Sequence, residues 1–508
     1  MKKTIILCVA FVVPITQTYT EAFRPSFIKP TIIGLGLSYD DVLLIPQRTS
    51  VTTRSNVDTK TRFTKNIELK TPIVSSNMDT VTEEEMAIAI ANDLGGIGVI
   101  HRFNTISQQA RAVRRVKRFR NVVIEYPLTI HVGATIAQAK NSMSTNNVTS
   151  LLITNETKKL VGILTSRDIK LVANDNESVS KYMTGRDRLV VAHKNITLEQ
   201  AKKVLFEHRI EKLPLINEDL TVAGLITSKD ILKQEESAHA SLDKKGRLLV
   251  AAAIGIKSDA VERAQALVEA GVDALVIDVA HGHCDAVVAM VKDIKARFPH
   301  IDIVAGNVVT ADAVRELVEA GADAIKVGIG PGSICTTRIT AGSGFPQLSA
   351  IIDCFEEAEK YHVPIIADGG IRFSGDITKA IAAGASTVML GSLLAGTDES
   401  PGQALIKNGK KYKVVRGMAS YGANFGREAK GDDAKKTSEF VPEGVEALTP
   451  YRGSVKEVVF QLLGGLKSGL SYCGVESLEA IRGKGQFIQI TNAGLRESHP
   501  HDVVELEK

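Results

Sequence analysis

The 508-residue chain has no tryptophan, only five cysteines, no long apolar run and little excess of either charge. The cysteines are scattered and form no CxxC pair, which argues against a zinc site and against a disulfide framework. The formal net charge is +4, and no lysine- and arginine-rich run supports nucleic-acid binding. No apolar stretch is long enough to span a bilayer, so no membrane partner is expected.

Residues 1–35 are predicted to be a leader. Lys2 and Lys3 precede a short apolar run at residues 4–13, which is the arrangement of a signal peptide. Residues 20–25 follow with an Ala-Phe pair before a basic residue, similar to the two-part leaders of proteins imported into secondary plastids. Free thiols suit the reducing interior of a plastid. Plastid import is one expectation, and a cytoplasmic protein with a fortuitous apolar N-terminus is the other.

An internal repeat is predicted to form a separate domain at residues 125–236. Residues 161–169 match residues 223–231, and residues 135–139 match residues 197–201 at the same offset. Each copy is predicted to fold as helix, strand, strand and helix, with the last helix capped by a Thr-Ser-(Arg/Lys)-Asp segment. The pattern resembles a tandem pair of CBS modules. That resemblance implies a bound adenine or guanine nucleotide, with Asp168 and Asp230 on its ribose, and the alternative is a repeat that only packs.

Residues 36–124 and 237–508 alternate apolar runs with amphipathic helices. The predicted strands are apolar on both faces and cover residues 72–75, 248–254, 274–279, 301–305, 324–327, 364–367 and 387–390. Helices such as 258–270 and 310–320 end in Ala-Gly, which supplies a left-handed turn into the next strand. Such strands indicate a parallel sheet covered by helices. The spacing of the units predicts an α/β fold, a (β/α)8 TIM barrel, whose functional residues follow the strands.

A glycine-rich loop with one cysteine follows the predicted strand at residues 324–327. The loop, residues 328–338, reads Gly-Ile-Gly-Pro-Gly-Ser-Ile-Cys-Thr-Thr-Arg and exposes backbone groups to a ligand. Cys335 in such a loop can be a nucleophile, although a lone cysteine is more often inert. Its last seven residues resemble the active-site signature of the IMP dehydrogenase and GMP reductase family. The resemblance extends over nearly the whole chain after the leader.

The resemblance implies a role for each matching residue. Cys335 would attack carbon 2 of a purine mononucleotide, while Thr337 and Glu443, which also contacts the base, would form a proton relay. The other residues implied to bind substrate are Ser333, Asp368, Gly369, Gly370, Gly391, Ser392, Gly417, Met418 and Ala419. Those implied to lie at the dinucleotide are Asp278, Asn307, Gly328, Ile329 and Gly330.

A potassium site and a homotetramer are implied by the same resemblance. The carbonyls of Gly328, Gly330 and Cys335 would hold the ion. Glu497, Ser498 and His499 match the part of that site that a neighbouring subunit supplies.

Two reactions share this chemistry. A dehydrogenase oxidises IMP with NAD and hydrolyses the adduct to XMP, a step in guanine nucleotide biosynthesis. A reductase expels ammonia from GMP and reduces the adduct with NADPH to IMP. The first reaction is the favoured expectation and the second is the alternative. A nucleotide-binding regulator without turnover is the third reading, and intact Cys335, Thr337 and Asp368 argue against it.

The flap after Ser420 departs from the dehydrogenase pattern. It lacks the Arg-Tyr pair whose arginine activates water in dehydrogenases, and Arg427 is the single arginine before Tyr451. We expect Arg427 to replace that pair. Ala419 stands in place of a glycine, and residues 345–350 read more like a reductase.

A further departure lies at a phosphate-binding position, and other features favour the dehydrogenase. Val415 stands where many relatives carry a phosphate-binding tyrosine, and Tyr412 is the candidate replacement. The repeat insert and residues 497–501 are the usual companions of dehydrogenases.

Overall fold

The computed structural model describes residues 32–120, 123–124, 126–146, 148–229, 231, 239–428, 440–482 and 485–503, with the side chains of 426–428 excluded. Most of the predicted leader therefore lies outside the described residues. The chain divides into two units, Met1–Gly36 and Leu37–Lys508, and every element below lies in the second. Within the described part, no helix combines the length and the apolar character needed to cross a membrane.

Eight parallel strands close into a barrel, which confirms the predicted fold. In chain order they are Ile73–Ser75, Ile97–Ile100, Val250–Ile254, Ala274–Asp278, Asp302–Val308, Ala324–Val327, Ile365–Asp368 and Thr387–Leu390. Consecutive strands are neighbours, and the eighth closes on the first with Met389 opposite Val74. The second strand is missing from the sequence prediction because Gly95, Gly96 and Gly98 interrupt its apolar run.

Helices cover the outside of the barrel. The long ones follow the strands in turn and span Glu84–Asn92, Ile106–Arg118, Ala260–Glu269, Asp285–Arg297, Ala311–Glu319, Gln347–Glu359, Ser374–Ala382 and Val455–Tyr472. Shorter helices span Thr337–Thr340, Ser392–Ala395, Tyr421–Glu428, Leu478–Ile481 and Asn492–Glu497. Gly271, Gly321 and Gly384 end three of the helical units with φ of 89°, 111° and 121°. These are the left-handed turns that the Ala-Gly pairs predict.

Apolar side chains fill both faces of the barrel strands. In the third strand, Ala251 and Ala253 belong to the interior of the barrel, whereas Val250, Ala252 and Ile254 pack in the layer under the helices. A hairpin of strands Thr61–Arg62 and Glu68–Leu69 closes the amino-terminal end of the barrel, and its Phe63 is fully buried inside. The loops that follow the strands are thereby left as the open end.

The insert contains two similar four-stranded sheets. The first combines Thr129–His131, Ser150–Thr154, Leu160–Thr165 and Thr184–Gly185, with helices Ile136–Thr145 and Ser166–Ile169. The second combines Val123–Ile124, Ala192–His193, Lys212–Ile216 and Val222–Thr227, with helix Leu198–Glu207. The boundaries at residues 125 and 236 stay predictions, because residues 125 and 232–238 lie outside the described residues.

The two copies of the repeat exchange their opening strands. Val123–Ile124 opens the first copy but pairs with Val222–Thr227 of the second, and Thr184–Gly185 opens the second copy but pairs with Leu160–Thr165 of the first. Neither sheet is complete without the other copy. The predicted cap is present in the first copy, where the backbone N–H and hydroxyl of Thr165 donate to Asp168 at 2.7 and 2.8 Å. Asp230 lies outside the described residues.

Small sheets and short turns complete the fold. Val42–Leu44 pairs with Phe487–Gln489, and a three-stranded sheet combines Ala404–Lys407, Lys410–Arg416 and Glu446–Pro450. Single 3-10 turns span Tyr39–Asp41, Arg54–Asn56 and Val179–Lys181. The three-stranded sheet carries the flap helix Tyr421–Glu428, which follows strand Lys410–Arg416 and precedes strand Glu446–Pro450 in the chain.

Candidate active site

A cleft with two lobes opens at the carboxyl-terminal ends of the barrel strands. The first lobe has a volume of about 300 Å³ and the second of about 380 Å³. The two lobes share their lining at Ser76, Met78, Gly332, Ile334 and Asp368. A ligand with two chemically different ends can therefore extend from one lobe into the other.

The first lobe brings together the residues predicted to hold a phosphate and a ribose. They are Ser333, Asp368, Gly369, Gly370, Gly391 and Ser392. Gly369 and Gly370 have φ of 94° and 82°, so a glycine is required at each position for the turn after the seventh strand. Sequence reasoning missed Tyr39, Arg338 and Arg372, which also line this lobe.

The second lobe brings together the predicted reactive and cofactor residues. Cys335, Thr337, Glu443, Gly417, Met418, Ala419, Asp278, Asn307, Gly328, Ile329 and Gly330 all line it. Its lining also includes Arg102, Phe103 and Phe440, which sequence reasoning did not identify. Ser76 and Asn77 follow the first strand, and their place just after a buried apolar run is the signal that would have found them.

A hydrogen-bonded relay leads away from the cysteine. The Cys335 thiol donates to the Thr337 hydroxyl at 3.2 Å, and that hydroxyl donates to Glu443 Oε2 at 2.8 Å. Cys335 is part-exposed to the lobe rather than buried. The arrangement can pass a proton between sulfur and carboxylate through one hydroxyl, which is the geometry of nucleophilic catalysis with a general base.

Backbone hydrogen bonds fix the cysteine loop against the base of the flap. The Thr336 N–H donates to the Glu443 carbonyl at 2.9 Å, and the Val445 N–H donates to the Ile334 carbonyl at 3.0 Å. The Glu443 N–H in turn donates to the Ala419 carbonyl at 3.0 Å. Thr337 and Glu443 are 106 positions apart in sequence, and these bonds hold them in contact.

A buried lysine joins the carboxylates of the two lobes. Lys326 is 1% exposed, and its Nζ donates to Asp278 and Asp368 at 2.8 Å each and to Asn307. Asn307 Nδ2 also donates to Asp368 Oδ2 at 2.9 Å. Sequence reasoning missed Lys326, although a lysine inside the apolar strand Ala324–Val327 was the available signal.

The charges in this network stabilise one another. Burial alone would raise the pKa of Asp278, but the adjacent Lys326 ammonium outweighs it and holds that pKa below the ordinary value. Burial opposes the charge on Lys326, yet Asp278 and Asp368 raise its pKa above the ordinary value of 10.5. The Asp278 carboxylate at the end of the fourth strand is therefore ionised, and Lys326 holds it in place before any ligand binds.

Two further contacts support the cleft. Asp79 after the first strand pairs with Arg416, whose Nε donates at 2.9 Å, so the first-strand loop is tied to the Gly417–Ala419 stretch. Gln347 Nε2 donates to the Val327 carbonyl at 2.9 Å and to the Asp368 carbonyl at 3.2 Å. These contacts position backbone that lines both lobes.

Three of the predicted residues are not brought to the cleft within one chain. Glu497, Ser498 and His499 line neither lobe, and the His499 ring lies 6.1 Å from the Phe373 ring in an edge-on contact. Arg427 lies on the helix Tyr421–Glu428, but its side chain is outside the described residues. Its predicted role in water activation stays a prediction.

Backbone carbonyls rather than side chains are the available ligands for a cation. Among the described residues, no group of three or more His, Cys, Asp or Glu side chains could hold a metal ion. Gly328 and Gly330 have φ of 142° and 85°, and this irregular backbone fits the weak carbonyl coordination of a monovalent ion. The Gly328 carbonyl already accepts from Asn307 at 2.8 Å, so it retains one free lone pair.

Residues 36–501 match a protein family described as the IMP dehydrogenase / GMP reductase domain. The chain is 50% identical over 470 residues to inosine-5'-monophosphate dehydrogenase from Bacillus subtilis (strain 168), covering 92% of this chain and 96% of the relative. It is 48% identical over 482 residues to GMP reductase from Leishmania donovani, covering 93% and 98%.

A solved structure is similar over nearly the whole chain. It is that of a GMP reductase variant from Trypanosoma brucei in complex with guanosine 5'-monophosphate, with a TM-score of 0.87 and 46% identity. The match covers 95% of this chain and 100% of that one. Relatives named for each of the two activities thus match this chain at similar sequence identity.

Proposed function

We propose that this chain, which belongs to the IMP dehydrogenase and GMP reductase family, carries out redox chemistry at carbon 2 of a purine mononucleotide through Cys335. The favoured reaction is oxidation of IMP to XMP, with water and NAD consumed and NADH and a proton released. The observation that carries the proposal is the relay from Cys335 through Thr337 to Glu443, at 3.2 and 2.8 Å, inside a cleft that could hold a nucleotide.

The residues of the cleft divide the work between them. Ser333, Gly370, Gly391 and Ser392 would hold the 5'-phosphate in the first lobe, and Asp368 would accept from the ribose hydroxyls. Cys335 would then form the bond to carbon 2, with Thr337 and Glu443 moving protons at the purine and at the attacking water. A nicotinamide cofactor, bound along Asp278, Asn307 and the 328–330 backbone, supplies the hydride chemistry.

Reduction of GMP is the second candidate, and the flap favours it. Without the Arg-Tyr pair, the chain lacks the group that activates water in dehydrogenases. A reductase needs no such water. It consumes GMP, NADPH and two protons and forms IMP, NADP and ammonium. The same relay would deliver the proton to the departing nitrogen, so the cysteine, threonine and glutamate are used in both reactions.

Two absorbance assays distinguish these reactions. Residues 36–508 would be assayed at 340 nm in potassium buffer, one sample with IMP and NAD and the other with GMP and NADPH. A rise in the first sample supports the dehydrogenase and a fall in the second supports the reductase. No change in either sample contradicts the enzyme proposal and favours the regulator.

If the sample with IMP and NAD shows a rise in absorbance, Arg427→Ala tests whether this flap arginine activates water. We propose that Arg427 activates water, so the variant should release its first hydride as a normal burst and then hold the nucleotide covalently on Cys335. Mass spectrometry of the trapped protein would detect the adduct. Normal steady-state turnover would show that another group activates the water.

A potassium ion and a homotetramer are proposed for the same site. The carbonyls of Gly328, Gly330 and Cys335 would hold the ion, completed by Glu497, Ser498 and His499 of a second copy. The part-engaged Gly328 carbonyl predicts weak binding. Replacing potassium by sodium should lower the rate severalfold, and light scattering would report the assembly.

The insert is proposed to bind an adenine or guanine nucleotide as a regulator. A cavity of about 480 Å³ lies where the two copies meet, and its lining includes Arg167, Arg188, Arg209 and Lys212. Arg167 already pairs with Glu211 of the same lining, so three cations remain to bind a di- or triphosphate. The Asp168 carboxylate at its helix cap would accept from the ribose. Calorimetric titration with ATP and GTP, repeated on Arg188→Ala, tests this proposal.

Plastid import is likewise proposed from the leader alone. A fusion of residues 1–35 to a fluorescent protein would show the destination. A cytoplasmic signal would support the alternative.

A further inference from the structure

The hydroxyl group of Tyr39 is buried beside the first lobe. The residue is 2% exposed and lines that lobe together with Gly370, Gly391 and Ser392. Its hydroxyl has no hydrogen-bond partner among the described residues, although its backbone carbonyl accepts from Lys379 Nζ at 2.8 Å. Buried hydroxyls are nearly always hydrogen-bonded. A ligand in the lobe is therefore the natural partner for this one.

The surroundings of the hydroxyl define what kind of partner fits. Burial raises the pKa of Tyr39 well above its ordinary value, and the carboxylates of Asp376 and Asp368 add to the shift. The phenol thus remains a neutral donor at every working pH. A donor of this kind bonds most strongly to a negatively charged acceptor, and Arg338 and Arg372 lie in the same lining. Phosphate oxygens meet these requirements.

We propose that the Tyr39 hydroxyl donates a hydrogen bond to the 5'-phosphate of the bound mononucleotide. The inference rests on the proposed function, because the phosphate arrives with that substrate. It also assigns a phosphate donor in a chain that carries Val415 where a tyrosine was expected. Tyr412 cannot take that place, since side chains alternate along strand Lys410–Arg416 and put positions 412 and 415 on opposite faces.

Tyr39→Phe tests the proposal, because it removes one oxygen and keeps the buried ring. The dissociation constants of IMP and GMP should each rise roughly tenfold, the effect of losing a hydrogen bond to a charged group. Inhibition constants of inosine and guanosine, which have no phosphate, should change less than twofold. Tyr412→Phe is the matched control, and its nucleotide affinities should equal those of the wild type.

Two results would overturn the proposal. Equal weakening of nucleotide and nucleoside would mean that the hydroxyl supports packing, and unchanged nucleotide affinity would mean that water satisfies it. If the wild type binds neither IMP nor GMP, the proposed function fails instead, which is a separate outcome. Should Tyr39→Phe not fold, 3-fluorotyrosine at position 39 of the otherwise native chain gives the second readout. Its fluorine resonance should shift with mononucleotide and stay fixed with nucleoside, and no shift with mononucleotide would count against the proposal.

Discussion

The two lobes of the cleft differ in the chemical groups that line them. The first lobe presents glycine backbone and serine hydroxyls, with Gly369 and Gly370 held at positive φ and Ser392 in the same lining. The second lobe holds the reactive side chains, and its lining includes both the relay at Cys335 and the Lys326 network. Backbone and hydroxyl groups can hold a phosphate, which every substrate would share, whereas the reactive side chains of the second lobe decide which reaction occurs.

The comparison predicts that changes in the first lobe act on affinity and that changes in the second act on rate. Asp368 lines both lobes and accepts from Lys326 at 2.8 Å. It is therefore the residue at which the two effects should be hardest to separate.

Cys335→Ala should abolish turnover while leaving the first lobe intact. Losing the nucleophile is expected to lower kcat by at least on the order of 10⁴-fold. Calorimetry should still show mononucleotide binding within a fewfold of the wild type, because the phosphate and ribose contacts remain. Residual turnover above a hundredth of the wild-type rate would disprove covalent catalysis by this residue.

Glu443→Gln should slow the reaction by about 10²- to 10⁴-fold, the usual contribution of a positioned general base. The amide still accepts from the Thr337 hydroxyl but no longer stores the proton. Glu269→Gln, on an exposed helix away from the cleft, is the control, and a similar loss there would show a general effect of charge.

Lys326→Met should destabilise the fold by about 3–5 kcal/mol, because it removes the buried cation that two part-buried carboxylates share. The direction in which this stability changes with pH also follows from the structure. The pKa of Asp278 is lower folded than unfolded, so its contribution is present above the unfolded value of about 4 and is lost as the pH falls through the folded pKa. In the variant, acidification should destabilise less. Chemical unfolding between pH 7 and pH 3 would measure both slopes, and parallel curves would contradict the network.

Ser392→Ala should give the smallest effect and the opposite kinetic pattern. One hydroxyl donor to phosphate is lost, which should raise KM roughly fivefold, on the scale of about 1 kcal/mol. The fall in kcat should be smaller than the rise in KM. A variant that lost kcat and kept KM would show that the lobes do not divide affinity from rate.

Much of the architecture could be predicted from sequence, for a physical reason that differs by element. Strands buried on both faces are apolar throughout, so the sequence predicts seven of the eight barrel strands. The second strand, Ile97–Ile100, is not predicted because Gly95, Gly96 and Gly98 break its apolar run. The repeat was evident because its copies share sequence. The exchange of strands between the copies was not, because pairing of Val123–Ile124 with Val222–Thr227 is a contact across about a hundred residues.

Some residues of the site could likewise be identified from local sequence, and others only from the fold. The motif around Cys335 identifies the cysteine and threonine, since adjacent residues on one loop share a location whatever the fold. The contact between Thr337 and Glu443 depends on barrel closure and on the sheet under the flap. Tyr39 and Lys326 carry no motif and become informative only when burial shows which partner each has or lacks.

The sequence by itself determined the barrel, the repeat and the reactive loop, because hydrophobic periodicity and local motifs are properties of neighbouring residues. Only the tertiary structure decided which charges are paired and which buried hydroxyls, that of Tyr39 among them, lack a partner among the described residues. Those properties depend on desolvation, and desolvation exists only once distant segments enclose the same volume.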